Sequence, residues 1–364
     1  MANLEEITPP NLSPEIVLFH ILPRLPSKSL LRSKCVCKQW RSFLTSPLFA
    51  KIHLHHVTAV DRHHDLKVLY LHVWPCAFRT IDCEARSVSK IRRYPFARCA
   101  TVTTSTVNGL VCMGMQPCPG KWENTDEFSD MIIWNPLTGE YKTLSTPIDT
   151  KCYSNKALAF ELYYTCSDDD YKILSITTDR NVYVYSLRSD SWRKLESTLD
   201  HEDRIPYYAA AGDRNLLDDE KLHFLWPLEI NRRYVVGRLD LKTEKFTKIA
   251  VPPSCGYVRL RLTVVRRGWI ELTIFDIAAP LTWTIQTWRM NGDGSDWTNM
   301  VNTSYYCALS SLRNGSLLVV NRNGICNVDV EKNTKDRNFQ NPPHDLDSRM
   351  YIETFVSPNR FHLY

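Results

Sequence analysis

Histidines and carboxylates cluster in this sequence at a few places where metal or acid–base chemistry could be sought. His55-His56 and His63-His64-Asp65 are ligand types, but they fall in a segment that reads as an extended connector. Adjacent side chains on an extended chain point to opposite faces, so neither pair can share one ion. Asp168-Asp169-Asp170 and Asp218-Asp219-Glu220 precede strand-like runs and read as solvated turns. Neither has the alternating ligand spacing of a calcium loop. Asn291 to Asp296 imitates the start of such a loop but lacks its closing Glu, and reads as a tight hairpin turn. The twelve cysteines contain no C-x-x-C pair, and Cys35-x-Cys37 has no second ligand pair near it, so they read as reduced thiols. Patterns for a serine nucleophile elbow, a zinc protease helix, a phosphate loop or a dinucleotide loop are absent. The sequence therefore assigns no catalytic residue, no metal ligand and no cofactor. What remains is recognition.

Two kinds of element must present that recognition. Ser13-Pro14-Glu15 is a helix start: a capping hydroxyl, a proline at the first position and an acid near the positive end of the dipole. The apolar run Ile16–Leu22 follows and stops at Pro23 and Pro26. Ser27 opens a second helix with Leu30 and Leu31. A third, from about Lys34 to Thr45, carries Val36, Trp40, Phe43 and Leu44, and Ser46-Pro47 breaks the pattern before a short apolar tail. The first helix is apolar nearly all round, and a module of about 45 residues cannot bury both of its faces alone. One face meets its own core; the other meets either the following domain or another chain. No Asp or Glu occurs from Ile16 to Val60, while seven Lys and Arg do, which favours an acidic partner.

From about Lys67 onward, short strand-like runs separated by turns take over. One hairpin recurs: an apolar strand, a polar residue, a turn of about four residues and a return strand opened by an aromatic or apolar residue. Met131-Ile132-Ile133-Trp134-Asn135-Pro136 returning at Tyr141 is the clearest copy; others return at Trp192, Phe246 and Trp297. The equivalent positions Asp82, Asn135, Ser186, Asp240, Arg289 and Asp329 are 53, 51, 54, 49 and 40 residues apart. Such a period is that of a four-stranded propeller blade, and the length allows about six. The expected fold is thus a small all-α module followed by an all-β, propeller-like domain. Its aromatic residues would fill the wedges between blades.

Both halves resemble known families. Leu12-Ser13-Pro14-Glu15, Ile21-Leu22-Pro23-Arg24-Leu25-Pro26, Lys28-Ser29-Leu30-Leu31-Arg32 and Val36-Cys37-Lys38-Gln39-Trp40, closing on Pro47-Leu48-Phe49, resemble an F-box. Ser13 stands where the family often has proline. The rest resembles the F-box-associated domain of a large plant family related to kelch propellers, through Trp134-Asn135-Pro136, Asp170-Tyr171-Lys172-Ile173-Leu174, Asp240-Leu241-Lys242-Thr243-Glu244 and Val356-Ser357-Pro358. It departs from kelch repeats in having no Gly-Gly doublet. The division implied is a tail at 1–10, an F-box at 11–55, a connector at 56–66 and the β domain at 67–364.

The resemblance implies a non-catalytic substrate adaptor of a Skp–cullin–F-box ubiquitin ligase. The F-box would dock on an acidic Skp-type adaptor, and through it on cullin, and the β domain would capture a target protein. Carried over by position, Leu12, Pro14, Glu15 and Ile16 would meet the adaptor at the helix start. Leu25, Pro26 and Leu30 would supply the middle of the interface, and Val36, Cys37 and Trp40 its apolar centre. Two loops are candidates for target capture, Pro117 to Asp130 and Asp200 to Tyr208. The alternatives are a propeller enzyme of glycosidase type, which needs two converging carboxylates, and a basic nucleic-acid-binding protein, which needs a recognition helix with base-reading side chains. No apolar run is long enough to cross a membrane and no leader is visible, so the expected location is intracellular, in nucleus or cytoplasm. The sequons at Asn302 and Asn314 are then chance matches.

Overall fold

The computed structural model describes residues 12–58, 66–72, 77–82, 87–91, 99–116, 130–144, 159–176, 181–196, 217–218, 221–227, 234–252, 258–265, 269–278, 282–290, 296–303, 308–311, 317–321, 324–329, 334–335 and 348–360. The helix start is as expected: Ser13 Oγ accepts from the Glu15 amide at 3.3 Å. A turn of π-helix, Ile16–Ile21, runs into a 3-10 turn, Leu22–Arg24, which tolerates Pro23 near its start. Helix α1 follows at Ser27–Ser33 and α2 at Lys38–Leu44. The third helix therefore begins later than the apolar spacing predicts. Cys37 adopts an extended conformation and caps α2, its Sγ accepting from the Trp40 amide at 3.4 Å. Ser46-Pro47 is a start and not a break. Ser46 Oγ accepts from the Phe49 amide at 3.1 Å, Pro47 takes the first helical position, and α3 runs Pro47–Thr58. His55 and His56 thus lie on a helix and not on an extended connector.

The remaining described strands form six antiparallel four-stranded sheets. The first sheet holds β1 (Leu66–His72), β2 (Ala77–Asp82) and β3 (Ser87–Lys90). The second holds β4 (Cys99–Val107), β5 (Leu110–Gln116), β6 (Asp130–Trp134) and β7 (Tyr141–Leu144). The third holds β8 (Ala159–Thr165), β9 (Asp170–Ile176), β10 (Val182–Ser186) and β11 (Ser191–Lys194). The fourth holds β12 (Leu217–Asp218), β13 (Lys221–Pro227), β14 (Tyr234–Asp240) and β15 (Phe246–Ala250). The fifth holds β16 (Val258–Val265), β17 (Trp269–Ala278), β18 (Thr282–Met290) and β19 (Trp297–Thr303). The sixth holds β20 (Ala308–Ser311), β21 (Leu317–Asn321), β22 (Gly324–Asp329) and β23 (Thr334–Lys335).

The last strand, β24 (Ser348–Ile352), does not start a seventh sheet. It pairs with β1 across the whole chain, Leu66 opposite Ile352 and Tyr70 opposite Ser348, and completes the first sheet. Leading strands of successive sheets touch one another: β20 meets β24, β24 meets β4, and β4 meets β8. The array closes as a six-bladed propeller does.

The six repeat positions all fall at the end of their sheet's third strand, before the last hairpin. Three of these hairpins share one geometry. Asn135 and Asp240 each accept two turn amides through Oδ1, from Leu137 and Thr138 (2.9 and 3.2 Å) and from Lys242 and Thr243 (3.0 and 2.8 Å). Ser186 Oγ accepts from the Ser189 amide at 3.1 Å. Four residues further on, Gly139, Asp190 and Glu244 all take positive φ, at 78, 53 and 57°. The side chain that starts the turn compensates a left-handed residue that only Gly adopts freely.

Successive residues of one strand pack against different sheets. On β6, Ile132 and Trp134 face the first sheet beside Leu69 and Phe78, while Met131 and Ile133 face the third beside Leu162 and Ile173. On β9, Tyr171 and Ile173 face the second sheet, and Leu174 and Ile176 face the fourth. Strands buried on both faces read as continuous apolar runs, which is why Met131–Trp134 shows no polar alternation.

Closure by β24 generates a direct expectation. A chain ending before Ser348 leaves β1 with an open edge and should aggregate, or melt well below the full chain. A soluble monomeric truncation with an unchanged melting temperature would contradict closure.

Candidate protein-binding surfaces

The helical module has a core of Leu18, Leu22, Leu30, Leu44, Phe49 and Ala50, with Val17, Leu25, Leu31, Trp40 and Phe43 packed against it. This sorts the residues proposed from sequence. Leu12, Pro14, Glu15, Ile16, Pro26, Val36 and Cys37 are exposed. Leu25 and Trp40 are half-buried, and each serves the module's own core. Leu30 is 0% exposed and is corrected from interface to core. Large apolar side chains nonetheless stay in solvent: Leu12 is 61%, Ile16 44% and Val36 64% exposed, and Phe19, Ile21 and Leu48 join them. Their surroundings are basic, with Arg24, Lys28, Arg32, Lys38 and Arg41 all exposed.

The module's other side is closed by its own β domain, which is one of the two readings of its second face. After β24 the chain runs as a strap, Glu353–Arg360, turning at Pro358-Asn359, between the second sheet and the helices. Phe355 enters the module core, its ring 5.4 Å from that of Phe49 and 5.2 Å from His53, with Lys34 Nζ 5.0 Å above it. Asn135, wholly buried, donates through Nδ2 to the carbonyls of Thr354 (3.0 Å) and Val356 (2.6 Å). Thr354 Oγ1 donates to the Asn108 carbonyl at 2.6 Å. Gly109 beside it has φ +84°, and a Cβ there would lie 2.3 Å from Thr354 Oγ1, so only glycine fits. Arg360 then reaches the Thr45 carbonyl and, at 3.3 Å, Glu140 Oε1.

A second bond between the parts comes from the acidic turn. Lys51 Nζ of α3 lies 2.6 Å from Asp169 Oδ2, whose other oxygen accepts from Tyr164 at 2.5 Å. Burial works against the charge of Asp169, yet the hydrogen bonds from Lys51 and Tyr164 outweigh it and hold the carboxyl below the usual range. Asp170 is buried and accepts from Ser186 Oγ (2.6 Å) and the Arg188 amide (3.0 Å). The expectation of a purely solvated turn is thus corrected. Asp168 alone fits it, exposed and held low by its hydrogen bond from Lys172.

Sequence reading missed the strap's role. Val356-Ser357-Pro358 carries a family match without saying what it touches, and the short pair Phe355-Val356 between Thr354 and Ser357 has no periodicity to betray its burial. Of the two loops proposed for target capture, Asp200 to Tyr208 and all of Pro117 to Asp130 but its last residue lie outside the described residues, as do His63-His64-Asp65. Among the described residues no group of three metal-ligating side chains converges, and no helix is long and apolar enough to cross a membrane. Among the described residues, Cys35, Cys37, Cys112 and Cys166 form no disulfide.

Two measurements check this joint. Phe355→Ala removes a buried aromatic, worth about 3–5 kcal/mol to the packing around it. Calorimetry should then resolve module melting below that of the β domain, where the wild type melts as one unit. The Lys51–Asp169 pair is half-exposed and contributes at most about 1 kcal/mol. Because the Asp169 pKa is lowered on folding, that contribution is full above about pH 4 and is lost as pH falls below it. Urea midpoints of wild type and Lys51→Met should therefore differ at pH 7 and converge as falling pH protonates the Asp169 carboxyl.

Comparison with known proteins matches the two parts of the chain separately. The F-box-like family matches residues 14–55, and the family described as F-box associated beta propeller domain matches residues 112–337. An F-box/kelch-repeat protein of Arabidopsis thaliana is 23% identical, with 98% of each chain covered. An F-box protein of the same plant is 25% identical over 74% of this chain and 69% of its own. The second match begins only at β5, so the structure adds β1–β4 and the closing strand to the domain. With more than half of its length inside that match, the chain belongs to the F-box associated beta propeller domain family and carries an F-box-like module at its N-terminus.

Proposed function

We propose that this chain is the substrate-recognition subunit of a Skp–cullin–F-box ubiquitin ligase, working in the nucleus or cytoplasm. The observation that carries the reading is the apolar surface left on the module after its core and its propeller contact are complete. Leu12, Ile16 and Val36 have no role in either, yet they remain in water. Such a set beside Arg and Lys, with no carboxylate from Ile16 to Val60, fits an acidic partner with an apolar centre. The Skp-type adaptor of this ligase class has that chemistry. The propeller supplies the second activity, capture of the protein to be modified. No catalytic role is assigned to the chain, since ubiquitin transfer belongs to other subunits. The strap and the Lys51–Asp169 pair support a fixed angle between the two surfaces, so that a captured target is presented at a set distance from the rest of the ligase.

The test uses residues whose exposure spares the fold. Ile16→Asp and Val36→Asp should each weaken binding to a Skp-type adaptor by about 30-fold or more, the loss typical of an interface anchor. Their melting temperatures should stay within about 2 °C of wild type, as surface changes do. Trp40→Ala is the poorer probe because Trp40 also packs the module core. Unchanged titration isotherms for both Asp variants would reject the docking surface.

A further inference from the structure

Where α1 meets α2 the helical module has an open hollow of about 510 Å³, lined by Leu31, Lys34, Cys35, Cys37, Lys38 and Arg41. That size falls within the roughly 300–1,000 Å³ of small-molecule sites. The lining is accessible: Cys35, Cys37, Lys38 and Arg41 are exposed, and Leu31 and Lys34 are half-buried. Two thiols and three cations thus share one wall, and no carboxylate stands among them.

Access and local charge decide which thiols exchange with a disulfide, and the described cysteines differ in both. Cys112 is wholly buried, and burial pushes its thiol up, away from the reactive thiolate. Cys166 is exposed, but it precedes the Asp168-Asp169-Asp170 turn, whose carboxylates offset Lys51, Lys172 and Arg188 nearby. Only the Cys35-Cys37 wall joins exposure to an excess of positive charge among these four. A cationic hollow concentrates anionic reagents and repels cationic ones, which disfavours a soft metal ion as the taker of paired thiols. Cys37 is also fixed in place, since its Sγ accepts from the Trp40 amide at 3.4 Å. Val36, 64% exposed, stands between the two thiols.

We propose that this hollow is a thiol-modification site for an anionic disulfide, glutathione disulfide, and that a mixed disulfide at Cys37 closes the adaptor-docking surface. The Cys37 thiol gives its proton to solvent, and the thiolate attacks one sulfur of the reagent. A bond forms between Cys37 Sγ and that sulfur as the original S–S bond breaks. The other glutathione leaves as a thiolate and takes up a proton, so Cys37 is oxidised and the leaving sulfur reduced. The carboxylates of the bound glutathione would lie against Lys38 and Arg41. They would cancel the charge that suits an acidic partner and cover Val36 beside it. In this consequence the proposal rests on the substrate-recognition reading above and adds redox control to its docking site.

The test is peptide mass mapping of the full chain after timed exposure to glutathione disulfide or to the neutral bis(hydroxyethyl) disulfide. The ratio of Cys37 to Cys166 labelling rates should be about 10-fold or more higher with glutathione disulfide. That excess should shrink in about 0.5 M salt and vanish when Lys38→Gln and Arg41→Gln are combined. Treated wild type should bind a Skp-type adaptor about 10-fold or more weakly, and a thiol reductant should restore it. Cys37→Ser, in which a hydroxyl can still cap α2, should have the same adaptor affinity before and after treatment. Equal ratios for the two reagents overturn the proposal, and so does undiminished adaptor binding by chain modified at Cys37. Loss of helical circular dichroism on treatment also overturns it, because the effect would then be unfolding. Should reduced wild type bind no adaptor, the ligase reading falls while the labelling ratio still decides the modification site.

Discussion

The last described residues, Ser348–Arg360, are gripped in turn by the first sheet, the second sheet and the helical module, and the rest of the architecture hangs on that sequence of contacts. β24 gives β1 its missing partner. The Asn135 amide then holds the carbonyls of Thr354 and Val356, and Phe355 fills the gap under Phe49 and His53. Each step orders the next, because a strand fixed at Ile352 leaves little freedom for a residue three positions on. Entropy already spent on closing the sheet thereby lowers the cost of docking the helices. The N-terminal module is anchored by the C-terminus.

This arrangement explains why so small a module can leave leucine-sized side chains in water. Alone, about 45 residues could not bury enough apolar surface to spare any. With Phe355 added to its core and Lys51 tied to Asp169, the module is held by the propeller, and Leu12, Ile16 and Val36 need not contribute to its folding. Exposed apolar area then becomes available for a partner.

What could be read from the sequence was whatever depends on neighbours along the chain. The repeat was legible because Asn135, Ser186 and Asp240 each begin a local turn, and the turn chemistry needs those residue types at that spacing. The helix start at Ser13-Pro14-Glu15 was legible for the same reason. Where local signals had two meanings the reading erred: Ser46-Pro47 can end one helix or open another, and Cys37 is not a usual cap. Leu30 sits within an interface motif, and nothing in its sequence context separates a residue facing a partner from one facing the module's own core. The strap and the Lys51–Asp169 pair join residues more than a hundred positions apart, and only the fold brings these together.

The central claim is that adaptor docking and target capture use separate surfaces on one rigid chain. Hydrogen exchange of the full chain, with and without a bound Skp-type adaptor, tests it most directly. The account predicts slowed exchange confined to the helical module, strongest near Ile16 and from Val36 to Arg41. Amides of β8–β11 and of Glu353–Ser357 should be unchanged. Slowed exchange in the β8–β11 sheet, or none in the module, would contradict it.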